Sequence, residues 1–284
     1  MPLVGRLVAR QFPQWADLPI TPVAPGGWDN RTFRLGEDLL VRLPSAEGYA
    51  PQVGKEQTWL PILAPRLPLR IPIPVAKGHP AKGYPFDWSI FGWLDGKTAE
   101  PQRIKGLGAF AATLADFLLA LQRVDPSEGP LAGAHSFYRG APLNVYNSET
   151  LGALETLQDR VDTRKALAVW EIALDARYTG SPVWFHGDVA ADNLLVDQGL
   201  LSAVIDFGCC GVGDPACDLV IAWTLFHGAS RDVFRTSIDA DAAAWARGRG
   251  WALWKALITL AGEVDSSSIK AAKAHNVINE ILAE

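Results

Sequence analysis

Residues 186–208 carry the side chains best suited to chemistry. Asp188 follows His186-Gly187, Asn193 lies five residues after Asp188, and Asp206 opens the run Asp206-Phe207-Gly208. A carboxylate can accept the proton of an attacking hydroxyl, and carboxylate and amide oxygens are ligands that Mg²⁺ prefers. Phosphoryl transfer needs such positioning and charge neutralisation, and little covalent chemistry from the protein. The pattern therefore predicts a base at Asp188 and magnesium ligands at Asn193 and Asp206.

The strands predicted around these residues fit that chemistry. An Asp beside a Gly is usually a plain turn residue, so its surroundings decide the interpretation. The apolar run 182–185 leads into the first motif, and 193–196 and 202–205 are typical of two strands joined by a turn at 197–199. This arrangement places the first two polar side chains on the loop before a hairpin, and the third just past its second strand.

Two segments around these motifs resemble the aminoglycoside phosphotransferase family. Residues 183–196, with the sequence VWFHGDVAADNLLV, are similar to the family's catalytic loop, and residues 204–219 are similar to the segment after its metal-binding Asp. Gly187 stands where protein kinases usually carry Arg, which favours the branch that acts on small molecules. The resemblance is strongest over residues 183–223, is weaker towards the amino terminus and fades towards the carboxyl terminus.

The resemblance implies an α+β, protein-kinase-like fold with two lobes: a small lobe with an antiparallel sheet plus a helix, and a large, mostly helical lobe. We expect residues 1–94 to form the nucleotide-binding lobe, with a hinge at 91–94, and residues 95–284 to form the catalytic and substrate-binding lobe. The implied donor is ATP or GTP with Mg²⁺, and the implied acceptor is a small-molecule hydroxyl. At the hinge, backbone groups of Gly92 and Leu94 would bind the nucleobase.

The amino-terminal region contains candidate nucleotide ligands. Residues 26–35 are predicted to be a loop that passes into a strand, and Gly26-Gly27 at such a tip would let backbone N–H groups approach phosphates. One hairpin later, Arg42 stands at the strand position where the resembled fold carries a Lys, and a guanidinium binds phosphate well. Glu56, inside a helix predicted over 46–65, is the candidate partner of Arg42. The alternatives are a plain turn at the glycines and a surface Arg on an edge strand.

Turn residues and apolar periodicity predict the remaining elements. Two further strands are predicted over 69–76 and 86–91. Apolar residues at helical spacing predict helices over 107–121, 151–161, 167–174, 245–260 and 269–282. A loop rich in Gly, Pro and Ser is predicted over 125–148.

The segment after Asp206-Phe207-Gly208 narrows the class of acceptor. Five residues separate Gly208 from Asp214, too few for the segment on which a protein kinase docks a peptide, so we expect no protein substrate. Asp214, which precedes Pro215, is a predicted helix N-cap. Asp218 is expected to anchor the backbone of the catalytic loop.

Acidic residues are the candidates for binding a cationic acceptor. An aminoglycoside would need several carboxylates opposite its ammonium groups, whereas a macrolide would need one or two beside an apolar wall. The substrate-binding candidates are Asp192, Glu155 and Asp159, followed by Asp162, Glu280 and Glu284. The competing interpretation of each is ordinary solvated surface. These acidic residues do not identify the substrate; the resemblance implies an antibiotic kinase that acts on an aminoglycoside or a macrolide. The alternatives are a metabolite kinase for choline, homoserine or a sugar-like acceptor, and a nucleotide-binding pseudokinase.

The composition of the 284-residue chain excludes several classes of protein. Hydrophobic residues make up 49% and charged residues 20%, which is typical of globular proteins, and the net charge of −5 argues against a nucleic-acid partner. There is no run of about eighteen apolar residues and no leader pattern after Met1, so we expect no membrane association. Cys209, Cys210 and Cys217 suit neither a disulfide framework nor a zinc site. We expect buried, reduced thiols and a cytoplasmic protein.

Overall fold

The structure, a computed structural model, describes residues 2–24, 26–27, 29–81, 83–263, 265 and 267–284. The chain divides into two compact units. The first contains residues 1–96 and 203–208, and the second contains residues 97–202 and 209–284. Within the described ranges, no helix combines the length and the apolarity that a membrane crossing requires.

The first unit is built on a five-stranded antiparallel sheet. Its strands are β1 (Ile20–Pro22), β2 (Asn30–Leu35), β3 (Leu39–Pro44), β4 (Pro74–Gly78) and β5 (Trp88–Gly92), and its helices are α1 (Pro2–Gln11) and α2 (Ala50–Leu63). The strand order is β1-β2-β3-β5-β4. Val41 and Ile90 of the sheet form one buried apolar cluster with Val4 and Leu7 of α1. Each such side chain contributes about 1.5–3 kcal/mol by leaving water, which holds α1 on the sheet.

β3 is an inner strand of this sheet, with β2 on one side and β5 on the other. Arg42 lies opposite Thr32 of β2 and Ser89 of β5. The alternative that placed Arg42 on an edge strand is therefore wrong. The guanidinium leaves the sheet from a backbone that is fixed on both sides.

Three elements of this unit differ in their bounds from the prediction. The strand predicted over 86–91 is β5, which spans Trp88–Gly92. The strand predicted over 69–76 begins later, because β4 spans Pro74–Gly78. Pro72 has no N–H to donate to a ladder, and a strand that begins with proline is tolerated here because β4 lies at the sheet edge. The helix predicted over 46–65 is shorter, because 3₁₀ turns precede and follow α2.

The second unit is mainly helical. Its helices are α3 (Leu107–Gln122), α4 (Asn147–Thr156), α5 (Thr163–Asp175), α6 (Ile221–Thr224), α7 (Ala229–Ser237), α8 (Ala242–Gly262) and α9 (Ile269–Leu282). Its short strands are β6 (Lys97–Thr98), β7 (Val183–Phe185), β8 (Leu194–Asp197), β9 (Leu200–Val204) and β10 (Gly211–Gly213). β7 pairs with β10, and β6, β8 and β9 form a three-stranded sheet whose last strand runs on into residues 203–208.

Helical spacing predicts most of these helices correctly. The stretches 107–121 and 245–260 correspond to α3 and α8, and 269–282 coincides with α9. The predicted loop 125–148 contains two 3₁₀ turns and ends where α4 begins. The predicted hairpin turn at 197–199 joins β8 to β9, and two consecutive residues there adopt positive φ, as tight hairpin turns require.

α8 packs against α4, α5 and α9, and its glycines allow a close approach. A Cβ at Gly248 would lie 2.6 Å from the Cβ of Leu219, and one at Gly250 would lie 2.5 Å from the Cβ of Ala173. Larger residues would push these elements apart, because protein cores tolerate little overpacking. The close packing lets α8 place Trp254 and Lys255 beside the catalytic loop.

Candidate active site

The backbone of the catalytic loop is anchored by one buried carboxylate. His186 and Gly187 donate their backbone N–H groups to Oδ2 and Oδ1 of Asp218, at 2.8 and 2.7 Å. Burial raises the pKa of Asp218, and the two backbone N–H groups partly offset this effect. The expected anchoring role of Asp218 is confirmed.

Gly187 is required by the shape of this loop. Its φ is 85°, and an added Cβ would lie 2.6 Å from the carbonyl oxygen of Cys209. Any side chain here would therefore combine backbone strain with a clash. In the sequence, Gly187 favoured the branch of kinases that acts on small molecules. In the structure, the local backbone conformation and packing require glycine at this position.

Asp188 is held from two sides within the second unit. Asn193 donates through Nδ2 to the backbone oxygen of Asp188 at 2.9 Å and to its Oδ2 at 3.0 Å. The ammonium group of Lys255 lies 2.7 Å from Oδ1 of Asp188. The structure thus brings together the predicted base and one predicted metal ligand. Because the amide nitrogen of Asn193 makes both hydrogen bonds, its amide oxygen is the atom suited to a metal ion.

Neighbouring charges keep the carboxyl group of Asp188 ionised. Burial alone would raise the pKa of Asp188, but Lys255, His186 and Arg139 favour the charged form and hold its pKa below the usual range. The side chain keeps 32% of its surface exposed, so an acceptor hydroxyl can reach it. An ionised, accessible carboxylate is what a general base requires.

Arg42 binds two carboxylates within the first unit. Its Nη1 lies 2.9 Å from Oε1 of Glu56, and its Nη2 lies 2.9 Å from Oδ1 of Asp206. The predicted pairing of Arg42 with Glu56 is confirmed, and the contact with Asp206 is additional. Asp206 has a φ of 65°, and left-handed backbone at a residue other than glycine costs about 1–3 kcal/mol and is common at functional sites.

Burial and charge act in opposite directions on this pair. Burial lowers the pKa of the Arg42 guanidinium, but Glu56 and Asp206 outweigh it and raise the pKa above its ordinary value. Burial raises the pKa of Glu56, and the charge of Arg42 offsets part of this rise. Removal of one partner from a buried pair leaves an uncompensated charge and costs about 3–5 kcal/mol. The three side chains therefore depend on one another.

Helix α2 also holds the turn that follows Asp206. The ammonium group of Lys55 donates to the backbone oxygen of Gly208 at 2.6 Å, and a Cβ at Gly208 would lie 2.8 Å from the amide carbon of Gln52. Gln52 donates in turn to Oδ2 of Asp29 at 3.2 Å, in the loop that contains Gly26-Gly27. α2 therefore connects the Asp-Phe-Gly turn to the glycine loop through contacts that the sequence did not predict.

Gly26 and Gly27 lie exposed in the connection between β1 and β2. A Cβ at Gly26 would meet nothing within 4 Å, so packing does not require glycine at this position. Pro25 and Trp28 of the same connection lie outside the described residues. The nucleotide-binding role of the two glycines stays a prediction.

The predicted hinge residues differ in their backbone bonding. Gly92 donates its N–H to the backbone oxygen of Ile73 at 3.1 Å, so its donor is engaged within the first unit. Leu94 shows no such bond to the residues described, and it is therefore the better candidate for a nucleobase contact. The guanidinium of Arg34 lies 4.4 Å from the centre of the Trp93 ring, so this indole packs against its own unit.

A small cavity of about 10 Å³ lies beside Asp188 in the second unit. Its wall includes Arg139, Cys217, Trp251, Trp254 and Lys255. Among the described residues that line it, Asp188 is the single carboxylate. The cavity is therefore bounded by two cations, one base and apolar surface.

The acidic substrate candidates do not line this cavity. Asp192 is exposed on the 3₁₀ turn before β8, and Glu155 and Asp159 are exposed at the end of α4 and just after it. Their role in substrate binding stays a prediction.

The three further acidic candidates make structural contacts instead. Asp162 caps α5 by accepting the backbone N–H of Lys165, Glu280 pairs with Arg231, and Glu284 accepts hydrogen bonds from two indole N–H groups. Asp214 is an N-cap, as predicted, and accepts from the N–H of Ala216.

Arg139 and Lys255 are functional candidates that the sequence did not indicate. Lys255 is a charged residue in the middle of an apolar helical stretch, between Trp254 and Leu257, and that anomaly is a signal. Arg139 lies in an irregular loop with no motif, so nothing in the local pattern singles it out. Both Arg139 and Lys255 are distant along the chain from the catalytic loop beside which they lie.

The family comparison agrees with the motifs. The model of the phosphotransferase enzyme family, APH, matches residues 20–251. The sequence matches no curated protein.

Several solved structures share the fold. The GDP complex of wild-type aminoglycoside 2'-phosphotransferase-IIIa is 17% identical, with a TM-score of 0.73 over 99% of this chain and 98% of that chain. The streptomycin–ATP ternary complex of APH(2")-IIa is 17% identical, with a TM-score of 0.61 over 99% of this chain and 96% of that chain. The apoenzyme of macrolide 2'-phosphotransferase MphH from Brachybacterium faecium is 19% identical, with a TM-score of 0.65 over 96% of this chain and 98% of that chain. The predicted kinase-like α+β fold is confirmed.

The anchoring carboxylate gives a prediction about stability. In Asp218→Asn one carboxylate oxygen becomes an amide NH₂ group, which cannot accept the backbone N–H of His186 or Gly187. A buried donor without an acceptor costs about 1–3 kcal/mol, so we expect a loss of that size in the free energy of unfolding, measured by chemical denaturation. Asp116→Asn, at an exposed position of α3, is the control and should leave the value unchanged. Equal stability of the two variants would contradict the anchoring role.

Proposed function

The chain belongs to the phosphotransferase enzyme family, and from that premise we propose that it transfers the γ-phosphoryl group of ATP or GTP to a hydroxyl of a small molecule. The observation that carries this proposal is the environment of Asp188. Its carboxylate is ionised, accessible and fixed by Asn193 and Lys255 beside a cavity of the second unit. These are the properties of a base that orients an acceptor hydroxyl and takes its proton.

Asp206 and Asn193 are the proposed ligands of Mg²⁺. Oδ1 of Asp206 accepts from Arg42, which leaves its second oxygen for a cation, and the amide oxygen of Asn193 is available for the same reason. No group of three His, Cys, Asp or Glu in the described ranges could hold a metal ion by itself. Mg²⁺ usually takes few protein ligands and completes its shell with phosphate oxygens and water, so the donor set fits. When bound, the ion would neutralise charge on the β- and γ-phosphates.

Arg42 is proposed to take the place of the Lys that usually holds the α- and β-phosphates. Glu56 and Asp206 fix its guanidinium through one N–H each. A guanidinium has five N–H donors, so three remain for phosphate oxygens. The presence of Asp188, Asn193 and Asp206 together supports a working kinase over a pseudokinase, because these are the side chains that the transfer step itself needs.

The structure of the segment after Gly208 supports a small acceptor. Within it, β10 pairs with β7 at the entrance to the catalytic loop. A segment that is short and fixed in a strand pair offers no extended surface for a peptide. Two classes of acceptor should be tested. Antibiotics are the first, because several structural neighbours are named as aminoglycoside or macrolide phosphotransferases, and hydroxyl-bearing metabolites are the second.

The metal assignment predicts an effect on binding. Asp206→Ala removes a hard oxygen ligand, so we expect magnesium-dependent nucleotide affinity to fall by about tenfold or more. Isothermal titration calorimetry with ATP or GTP, in the presence and absence of Mg²⁺, measures this difference. Asp17→Ala, an exposed change in the same unit, is the control. If the nucleotide affinity of Asp206→Ala responds to Mg²⁺ as the affinity of the parent does, then Asp206 is not a metal ligand.

The function itself is tested with a panel of acceptors. Purified protein is incubated with magnesium and ATP or GTP and with antibiotics or metabolites, and phosphorylated products are identified by mass spectrometry. Asp188→Asn keeps the shape of the base and removes its charge. We expect its kcat to fall by about a hundredfold or more while nucleotide affinity is retained.

Two results would contradict this account. Absence of product and of nucleotide consumption across the panel would favour a nucleotide-binding module. Product formed equally fast by Asp188→Asn and the parent would mean that Asp188 is not the base.

A further inference from the structure

The charges around Asp188 are the opposite of those that a polycationic acceptor would need. The ammonium group of Lys255 and the guanidinium of Arg139 both line the cavity. With one carboxylate and two cations among its described lining residues, the wall carries a net charge of +1. An acceptor with several ammonium groups would meet repulsion here, and like charges in a partly buried site are costly.

Arg139 is presented to the cavity by a constrained loop. Phe137 and Tyr138 have φ values of 48° and 55°, which residues with a side chain adopt at a cost. The buried hydroxyl of Ser136 lies within hydrogen-bonding distance of the backbone oxygens of Gly133 and Arg139, at 3.0 and 3.1 Å, and can donate its one proton to either. Strain of this kind persists where surrounding contacts over-determine the backbone, and it is common in ligand-binding loops.

Gly140 closes the same loop. Its φ is 77°, and a Cβ there would lie 2.1 Å from the ring of Phe185, the last residue of β7. Asp214 donates its N–H to the backbone oxygen of Gly140 at 2.9 Å. The position of Arg139 is therefore fixed relative to the start of the catalytic loop.

Aromatic rings hold the guanidinium of Arg139 in place. Its central carbon lies 4.6 Å from the centre of the Trp254 ring, 5.6 Å from that of Trp251 and 5.9 Å from that of Tyr146. The rings of Tyr146 and Trp254 stack at 3.9 Å, and Glu149 accepts from the indole N–H of Trp254 at 2.8 Å. The carboxylate of Glu149 thus supports the aromatic wall from outside the cavity lining.

The N–H groups of Arg139 are available to a ligand. The hydrogen bond found for them is a long one, 3.5 Å, to the hydroxyl of Tyr146. No carboxylate within the described part of the chain lies within 4.0 Å of this guanidinium. A planar guanidinium with free N–H groups matches a carboxylate or a phosphate group.

We propose that the acceptor is a small hydroxyl compound that carries an anionic group, a carboxylate or a phosphate, which binds Arg139 with Lys255 as the second cation. This inference rests on the proposed function, because it concerns the acceptor of the same cavity. Arg139 binds the anionic group, and the hydroxyl of the same molecule faces Asp188. The acceptor oxygen forms a bond to the γ-phosphorus, the bond from that phosphorus to the β–γ bridging oxygen breaks, and the nucleoside diphosphate leaves with the electron pair. The hydroxyl proton goes to Asp188.

The experiment compares acceptors that differ in charge and share a skeleton. Hydroxy acids and sugar acids are tested beside their own neutral carboxamides, sugar phosphates beside the free sugars, and aminoglycosides provide the polycationic class. Steady-state kinetics with magnesium and ATP or GTP gives kcat/KM for each. We expect the anionic member of a pair to exceed its neutral partner by about tenfold or more, as for a charge-assisted hydrogen bond. The carboxamide and free-sugar arms separate a carboxylate from a phosphate ligand.

Variants assign the effect to Arg139. In Arg139→Glu we expect acceptor KM for the anionic compound to rise by about tenfold or more, while nucleotide affinity stays within about twofold of the parent. Arg139→Gln removes the charge with less disturbance of the loop. The acceptor KM of this variant for the anionic compound should also rise. Arg164→Glu is the matched control at an exposed position of α5, and its acceptor KM should equal that of the parent.

Each contrary outcome has a distinct meaning. Aminoglycosides used as well as or better than the anionic compounds, or equal rates for acid and amide, would overturn the inference and leave the proposed function intact. A loss of nucleotide affinity in Arg139→Glu without a change in acceptor KM would assign the guanidinium to the donor. Absence of turnover with every class would contradict the proposed function and the inference together.

Discussion

The buried guanidinium of Arg42 is the interaction on which the nucleotide side of the site depends. It neutralises Glu56 on α2 and Asp206 after β9 at once, with both contacts at 2.9 Å. Because β3 is an inner strand, the backbone of Arg42 is fixed on both sides, and α2 reaches the Asp-Phe-Gly turn again through Lys55. One buried cation therefore links a strand, a helix and the proposed metal ligand. The Arg at this position, unusual at the sequence level, suits the task because its planar fork can hold two carboxylates and still offer donors to phosphate.

The acceptor side follows the same physical rule with the charges reversed. Here the central group is the carboxylate of Asp188, and cations keep it ionised in a partly buried place. Asp218 fixes the loop backbone, Asn193 fixes the carboxylate, and Lys255 with Arg139 sets the charge of the cavity. In both units a charged group of the proposed chemistry is stabilised by opposite charges from other segments of the chain. The acceptor class that we infer is a consequence of that compensation, since the cations that stabilise the base also face the substrate.

The motifs and the helical periodicity could be read from the sequence because they are local. Asp188, Asn193 and Asp206 have fixed spacings along the chain, and α9 has a regular apolar pattern, so both were predicted. The cationic wall could not be predicted, because it depends on which distant segments meet. Lys255 reaches Asp188 from a helix that begins more than fifty residues later in the chain, and Arg139 comes from an irregular loop. The acidic residues that suggested a polycationic acceptor do not line the cavity beside Asp188, and their positions relative to it could not be read from the sequence.

The central claim, that Arg42 takes the place of the usual Lys while it holds Glu56 and Asp206, is tested most directly by nucleotide kinetics of two variants. With a working acceptor, Arg42→Ala should lower kcat/KM for the nucleotide by about a hundredfold or more, since a charged ligand to phosphate and the partner of a buried carboxylate are both lost. Arg42→Lys should keep part of the activity, and Arg31→Ala, exposed on the neighbouring strand, should match the parent. Parent-like kinetics of both Arg42 variants, in proteins that fold as the parent does, would contradict the claim.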